Sequence, residues 1–471
     1  MPLVQTFGHL EFALSVPENA PLREVPDDPA EICPLNDDAV EFVKDLVRDI
    51  IDGHPESRYI HLGSDETYVL GTCPRCKANC ESVGRSAHFV NHMKKTAQLI
   101  IDAGKTPVMW NDMLIAHPEA IELLPKQMVM LDWHYHTYGV YCDEMDVWWH
   151  QDKKLTVDNF DRAPELHRTE YRSYYVGHHP TDPKKLRSFP YTKYFMDRGF
   201  GVIAGPSSCC HQDPGTNPNI STRVPNCWGF PASAAMDGAL GCIVTSWQVR
   251  RHPWEVQTYP VALCAETSWN PIEGIRDDFD ARFMQSQYGI DDATIPQSFD
   301  ALDRPAWMDR CDHYGGWNND ERMWSGATVA EDLAKKDERG DLRQNAPQTS
   351  KSAELTQKAQ AALEVFTRFA GTCERNGLDA RFWKLAADET LFRVKLFDVL
   401  KRTYLARKAN AAPDTTLRDD VRRIVENGQA LYIDARESWK HLLPPQTLDE
   451  EIFIRWDRVK AYLTTSEREK T

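Results

Sequence analysis

Tyr59-Ile-His-Leu-Gly-Ser-Asp-Glu-Thr-Tyr68 is the stretch from which the rest of the chain can be read. Tyr59 to Gly63 is a short apolar run bounded by a glycine, which predicts a buried strand, and two carboxylates follow it directly. On its N-terminal side, Asn36 can cap a helix whose apolar positions Val40, Val43, Val47 and Ile50 or Ile51 recur at helical spacing. On its C-terminal side, Phe89, Met93, Ala97, Ile100 and Ile101 mark one face of a second helix, with Gly104 as its C′ residue and Thr106 to Trp110 as the next strand. Helix, strand, helix and strand in this order define βα units in a parallel sheet.

The rhythm extends both ways. Leu3 to Phe7 reads as a strand, as do Gln127 to Trp133, Gly199 to Ala204 and Gly241 to Trp247. The fold class is therefore α/β, and repeated strands with polar or aromatic residues at their C-terminal ends suggest a (β/α)8 barrel, whose active site is built there. Those ends carry Gly8-His9-Leu-Glu11, Ser64-Asp65-Glu66-Thr-Tyr68, Trp110-Asn-Asp112, Trp133-His-Tyr135-His136 and Trp247-Gln248. Tryptophans beside carboxylates and histidines suit a sugar, whose apolar ring face stacks on indole while its hydroxyls meet polar groups. Each residue also has a plainer use: the tryptophans as core plugs, His9 as a satisfied core histidine, Asp65-Glu66 as the N-cap and first-turn acid of a helix.

From about residue 271 the character changes. Asp332 to Ser352 is a polar run expected to be an exposed excursion, and Leu355 to Phe369, Ala380 to Arg407 and Leu417 to Leu442 have long helical periodicity without strand signals. We therefore expect a catalytic barrel over 1–270 and a helical C-terminal domain over 271–471.

Composition excludes other classes. In 471 residues, Lys plus Arg number 55 and Asp plus Glu 71, a formal net charge of −16 at pH 7 that repels nucleic acid and anionic membranes. No stretch has the roughly 20 consecutive apolar residues of a spanning helix, and residues 1–7 carry no secretory signal, so the expected location is cytoplasmic. Twelve cysteines are too sparse for a disulfide scaffold. Buried free thiols are the ordinary reading, although the spacing of Cys73, Cys76 and Cys80 could hold a soft metal if a further ligand came from elsewhere, and Cys209, Cys210 and His211 are further candidates.

Adjacent carboxylates are poorly placed for a glycosidase that needs two acids on opposite sides of a sugar, and point instead to a nucleophile supplied by the substrate. Pro2 to Phe12, His61 to Gly71, Val108 to Leu114 and Thr245 to Gln248 occur in the order and spacing of glycoside hydrolase family 20, the β-N-acetylhexosaminidases, which the chain resembles in its hexosaminidase D-like branch. The resemblance implies a TIM barrel and an exo-acting enzyme releasing terminal β-linked N-acetylglucosamine or N-acetylgalactosamine with retention. It implies no cofactor and no catalytic metal. By the same resemblance Glu66 is the general acid and base, Asp65 holds the acetamido nitrogen, and Tyr135 hydrogen-bonds the acetamido oxygen. His9, Trp110, Asp112, Trp133 and Trp247 belong to the substrate pocket. The family's barrel begins with two further βα units, so the barrel is expected to be N-terminally truncated, with about six units of the eight, and the chain to be a fragment. A non-catalytic sugar-binding or scaffolding relative is the alternative reading.

Overall fold

The computed structural model describes residues 1–148, 150–210, 213, 217–247, 253–271, 277–303, 329–338, 340, 342, 346–447 and 454–465. By contact the chain divides into two compact units. The first comprises Met1–Pro206, Pro225–Val244 and Thr267–Gly274; the second comprises Ser207–Val224, Thr245–Glu266 and Ile275–Thr471. The stretches 207–224 and 245–266, expected within the first region, thus group with the second.

In the first unit, a short antiparallel hairpin, β1 (Arg23–Val25) and β2 (Asp28–Ile32), precedes helix α1 (Asp37–Gly53). Strand β3 (Tyr59–His61) follows, then α2 (Pro74–Val83), α3 (Arg85–Asp102), β4 (Thr106–Trp110) and β5 (Val129–Trp133). β6 (Gly201–Gly205) and β7 (Gly241–Cys242) complete a five-stranded sheet of order β7-β6-β5-β4-β3. Every pairing in that sheet is parallel. Spatial order follows chain order with no reversal, the winding of a barrel rather than of a doubly wound sheet. The predicted strand at Leu3–Phe7 is reduced to a single parallel bridge, Leu3 to His61, flanked by Val4 N–H to His61 O (2.8 Å) and His61 N–H to Pro2 O (2.9 Å). The predicted strand at 241–247 is divided: β7 ends at Cys242, and Thr245–Ser246 pairs in parallel with Ser207–Cys209 in the second unit.

Local chemistry explains these elements. Asn36 caps α1 by accepting the Asp38 N–H, and Gly104 sits just past α3 at φ 71°. Strand alternation then sorts the sheet's side chains. Val108, Trp110, Val129, Leu131 and Ile203 pack on one face with Tyr59 and Trp133. Met109, Met130 and Val202 join the larger core under the helices, with Val43, Val47, Phe89, Met93 and Ile100.

The second unit is mainly helical, with α4 (Ala346–Thr372), α5 (Gly377–Lys408) and α6 (Thr415–Trp439) where the sequence predicts them. Trp383 stacks on Phe299 at 4.1 Å and meets Phe366 at 5.5 Å. The expected polar excursion at 332–352 is not uniformly exposed. Within the helix Val329–Glu338, Val329, Leu333 and Asp337 are buried, and Asp337 takes an ion pair from Lys408 and a hydrogen bond from Tyr404. Three apolar or paired positions per helix suffice to anchor a charged segment, which composition alone does not reveal. Among the described residues, no helix is long and apolar enough to cross a membrane.

Candidate active site

The loop after β3 forms no helix until Pro74, which Cys73 caps, so Asp65 and Glu66 are not a helix cap. Its backbone is unusual instead. Ser64 and Glu66 lie at φ 72° and 50°, and His9, on the facing segment, at φ 54°. Such left-handed conformations of non-glycine residues cost energy and persist only where surrounding contacts impose them.

Those contacts can be named. Gln5 accepts the Ser64 N–H at 3.1 Å and donates to Asp65 Oδ1 at 3.3 Å. Thr6 Oγ1 donates to Leu62 O at 2.7 Å and lies 2.9 Å from Ser64 Oγ, and the backbone oxygen of Thr6 is itself 2.8 Å from His92 Nε2. Gly8 allows the closest approach: a Cβ there would stand 2.5 Å from the Asp65 carbonyl oxygen. Gly8→Ala should therefore push the two segments apart and destabilise the first unit by about 1–3 kcal/mol, measured by denaturant unfolding; an unchanged midpoint would show that the approach is not fixed.

His9 is the centre of the charge cluster. Its Nε2 lies 3.4 Å from Asp65 Oδ2 and 3.3 Å from Glu66 Oε2. Hydrogen bonds to Asp65 and Glu66 raise its pKa to about 10, so it stays an imidazolium throughout the neutral range. His9 is thus no buried core histidine; its side chain is 38% exposed and faces two acids. Asp65 is recessed behind it, while Glu66 is the more open of the pair.

Asp112, at the start of the short helix Asp112–Ala116 after β4, is fully buried and joins two parts of the site. Its Oδ2 accepts the Glu66 N–H at 2.9 Å and its Oδ1 the Trp133 indole N–H at 3.3 Å. Burial, reinforced by the nearby Asp65 charge, pushes its carboxyl up to about 8. Trp133 is half-buried, with Tyr135 tilted against it at 4.8 Å and Trp148 edge-on at 4.4 Å. Trp110 lies deeper, packed on the neutral His61 at 4.6 Å.

The structure therefore brings together His9, Asp65, Glu66, Asp112, Trp133 and Tyr135, with Trp110 beneath them on the same sheet face. Trp247 lies in the second unit, after Thr245–Ser246, and is 40% exposed. His211 and Gln248 fall outside the described residues. Three contributors escaped the sequence reading. Gln5 is a polar residue in an apolar run, a signal that was available; Trp148 sits between the paired strands Met145–Val147 and His150–Leu155 of a short irregular hairpin and had none. Tyr68, which hydrogen-bonds Glu66, was visible only as the end of the Asp-Glu motif.

The cluster stands at the strand ends of a barrel-like α/β fold, the place where such folds build their active sites. Residues 16–152 match the family model of the glycosyl hydrolase family 20 catalytic domain, so the resemblance carried by the motifs holds over that segment. The segment includes Asp65, Glu66, Trp110, Asp112, Trp133 and Tyr135, and ends before Trp247. The chain is similar to hexosaminidase D of Bos taurus, 35% identical over 123 residues, which are 25% of this chain and 36% of that protein. It is also similar to hexosaminidase D of Homo sapiens, 32% identical over 142 residues, 29% of each. The match thus spans about a third of the length of these relatives. Among solved structures, a β-N-acetylhexosaminidase from Bacteroides fragilis aligns with TM-score 0.41 and 16% identity, over 61% of this chain and 51% of that one. An exo-β-N-acetylglucosaminidase from Vibrio harveyi, in complex with N-acetylglucosamine, aligns with TM-score 0.39 and 16% identity, over 64% and 42%.

Proposed function

We propose that the chain is an exo-acting β-N-acetylhexosaminidase that removes terminal β-linked N-acetylglucosamine or N-acetylgalactosamine by substrate-assisted hydrolysis with retention. The observation that carries this reading is the placement of both carboxylates on one histidine nitrogen: ligand atoms of His9, Asp65 and Glu66 all lie within 4.8 Å of one another. Acids held side by side in this way cannot stand on opposite faces of a sugar ring, as an acid and a carboxylate nucleophile must. The third carboxylate, Asp112, is fully buried and engaged by Glu66 N–H and Trp133.

With the nucleophile in the substrate, the roles divide. Glu66 as the carboxylic acid protonates the glycosidic oxygen while the 2-acetamido carbonyl oxygen attacks the anomeric carbon. The aglycone leaves as an alcohol and a cyclic oxazolinium forms. Asp65 accepts the acetamido N–H and stabilises that cation; the Tyr135 hydroxyl donates to the acetamido oxygen. Glu66, now the carboxylate, takes a proton from water as it opens the ring at the anomeric carbon, which regenerates the acid and restores the β configuration. The half-buried Trp133 offers its face to the sugar, and Trp110 and Trp148 back it.

The test is release of 4-nitrophenol from the β-N-acetylglucosaminide, the β-N-acetylgalactosaminide and the plain β-glucoside. Turnover of either acetamido substrate, none of the glucoside, and competitive inhibition by a thiazoline analogue of the oxazolinium are expected. Equal cleavage of the glucoside would remove the substrate-assisted mechanism, and a folded chain that binds the thiazoline without turnover would establish a sugar-binding protein instead.

A further inference from the structure

Away from the acid pair, the first unit gathers a second cluster that the proposed chemistry does not use. Cys33 follows β2, Cys73 caps α2, Cys76 lies in the first turn of α2, and Glu24 is the middle residue of β1. One ligand atom from each lies within 4.8 Å of all the others. The sulfur of Cys33 is 3.7 Å from that of Cys73 and 3.5 Å from that of Cys76. A zinc ion with Zn–S bonds of about 2.3 Å in a tetrahedron sets its sulfurs about 3.8 Å apart, whereas a disulfide needs about 2.05 Å. The spacing is that of ligands around an ion, and all three cysteines are free thiols.

Glu24 supplies an independent observation. Only 2% of its surface is exposed, Oε1 accepts the Cys73 N–H at 2.8 Å, and the second oxygen, Oε2, is buried with no hydrogen-bond partner. A buried carboxylate oxygen left without a donor is costly. A cation bound among the three sulfurs would remove that cost. The surroundings suit thiolates: Cys73 Sγ accepts the Cys76 N–H at 3.4 Å at the N-terminus of the ten-residue α2, and Arg75 Nη2 stands 3.7 Å from Cys33 Sγ.

We propose that Cys33, Cys73, Cys76 and Glu24 form a structural zinc site. Three soft sulfurs and one carboxylate select zinc over hard cations. Four protein ligands, three of them on buried residues, close the tetrahedron and leave no position for substrate, so the role is structural. Cys80, which completes the sequence motif, is not a ligand; its sulfur packs against Gly71. The site pins the β1–β2 hairpin to the segment that carries Glu66 toward α2, beside a second clasp in which Glu31 accepts the Val69 N–H at 2.8 Å.

Metal analysis of the full chain, purified under reducing conditions without chelator, should find about one zinc per chain. Cys80→Ser should retain it, and Cys33→Ser and Cys76→Ser should lose it. Because those two variants could fail to fold, the unaltered chain produced with cobalt in place of zinc gives a second reading: tetrahedral thiolate coordination yields sulfur-to-cobalt charge-transfer absorption and intense visible bands. Absence of metal together with no cobalt–thiolate absorption overturns the proposal, as does a Cys33–Cys73 or Cys33–Cys76 disulfide found by mass spectrometry. Zinc lost equally from Cys80→Ser would overturn this ligand set.

Discussion

Glu66→Gln should lower kcat on an acetamido glycoside by about 10²- to 10⁴-fold, the usual worth of a positioned general acid and base. Glutamine keeps the size of the side chain but has no acidic proton to give. KM should change little, because the groups that grip the acetamido group, Asp65 and Tyr135 in the proposed scheme, are untouched. The loss should also depend on the leaving group, being smaller for 4-nitrophenol, which departs readily without a proton, than for a sugar alcohol. Comparing steady-state kinetics on an aryl glycoside and on a disaccharide, with circular dichroism as the check on folding, measures both effects. A variant with unchanged kcat on both substrates would place the acid elsewhere.

The second large effect is expected at Asp112. Asp112→Ala removes the acceptor of both the Glu66 N–H and the Trp133 indole N–H. Glu66 is held at φ 50°, and this tether fixes its backbone there, while His9 and Tyr68 meet its side chain. Displacement of a reacting group by about 1 Å can cost about 10²-fold in rate, so kcat/KM should fall by that order through loss of position rather than of chemistry. The same variant should alter how stability depends on pH. Burial raises the Asp112 carboxyl from 3.8 to about 8, so the folded protein favours its protonated form. The stability this contributes is fully present below the unfolded value, and is lost as pH rises through the folded one. Between pH 4 and 8, denaturant midpoints of the parent should fall relative to those of Asp112→Ala. Parallel midpoints would show that Asp112 is ionised across that window.

What could be read from sequence follows a physical divide. β4, β5 and β6 and the helices α1 and α3 were legible because strand runs and helical periodicity are local, and because a capping asparagine and a C-terminal glycine mark the ends. Asp65, Glu66 and His9 were legible because they sit in contiguous motifs at strand ends. The hairpin β1–β2 was not, since strands of three and five residues, one containing Pro29, show no alternation. The part of Asp112 as the joint between acid and platform was hidden for another reason: it depends on partners 46 residues before it and 21 after it. The proposed zinc ligands illustrate the same limit. Cys73 and Cys76 announce themselves by spacing, but Cys33 and Glu24 lie 40 and 49 residues before Cys73, and Cys80, the neighbour that spacing favoured, is excluded.

The segment from Pro2 to Leu10 has no helix and no continuous ladder of its own. Its backbone is held by Val4 on His61, His61 on Pro2, Ile32 on Phe7 and Leu10 on Ala30. The histidine that gathers both acids therefore sits on a guest segment whose order is lent by residues made later in synthesis. Loops of that length must close before any of these bonds can form, and closure entropy is paid before contacts repay it. Assembly of the charge cluster thus depends on partners in β2 and β3 that must be in place to receive it.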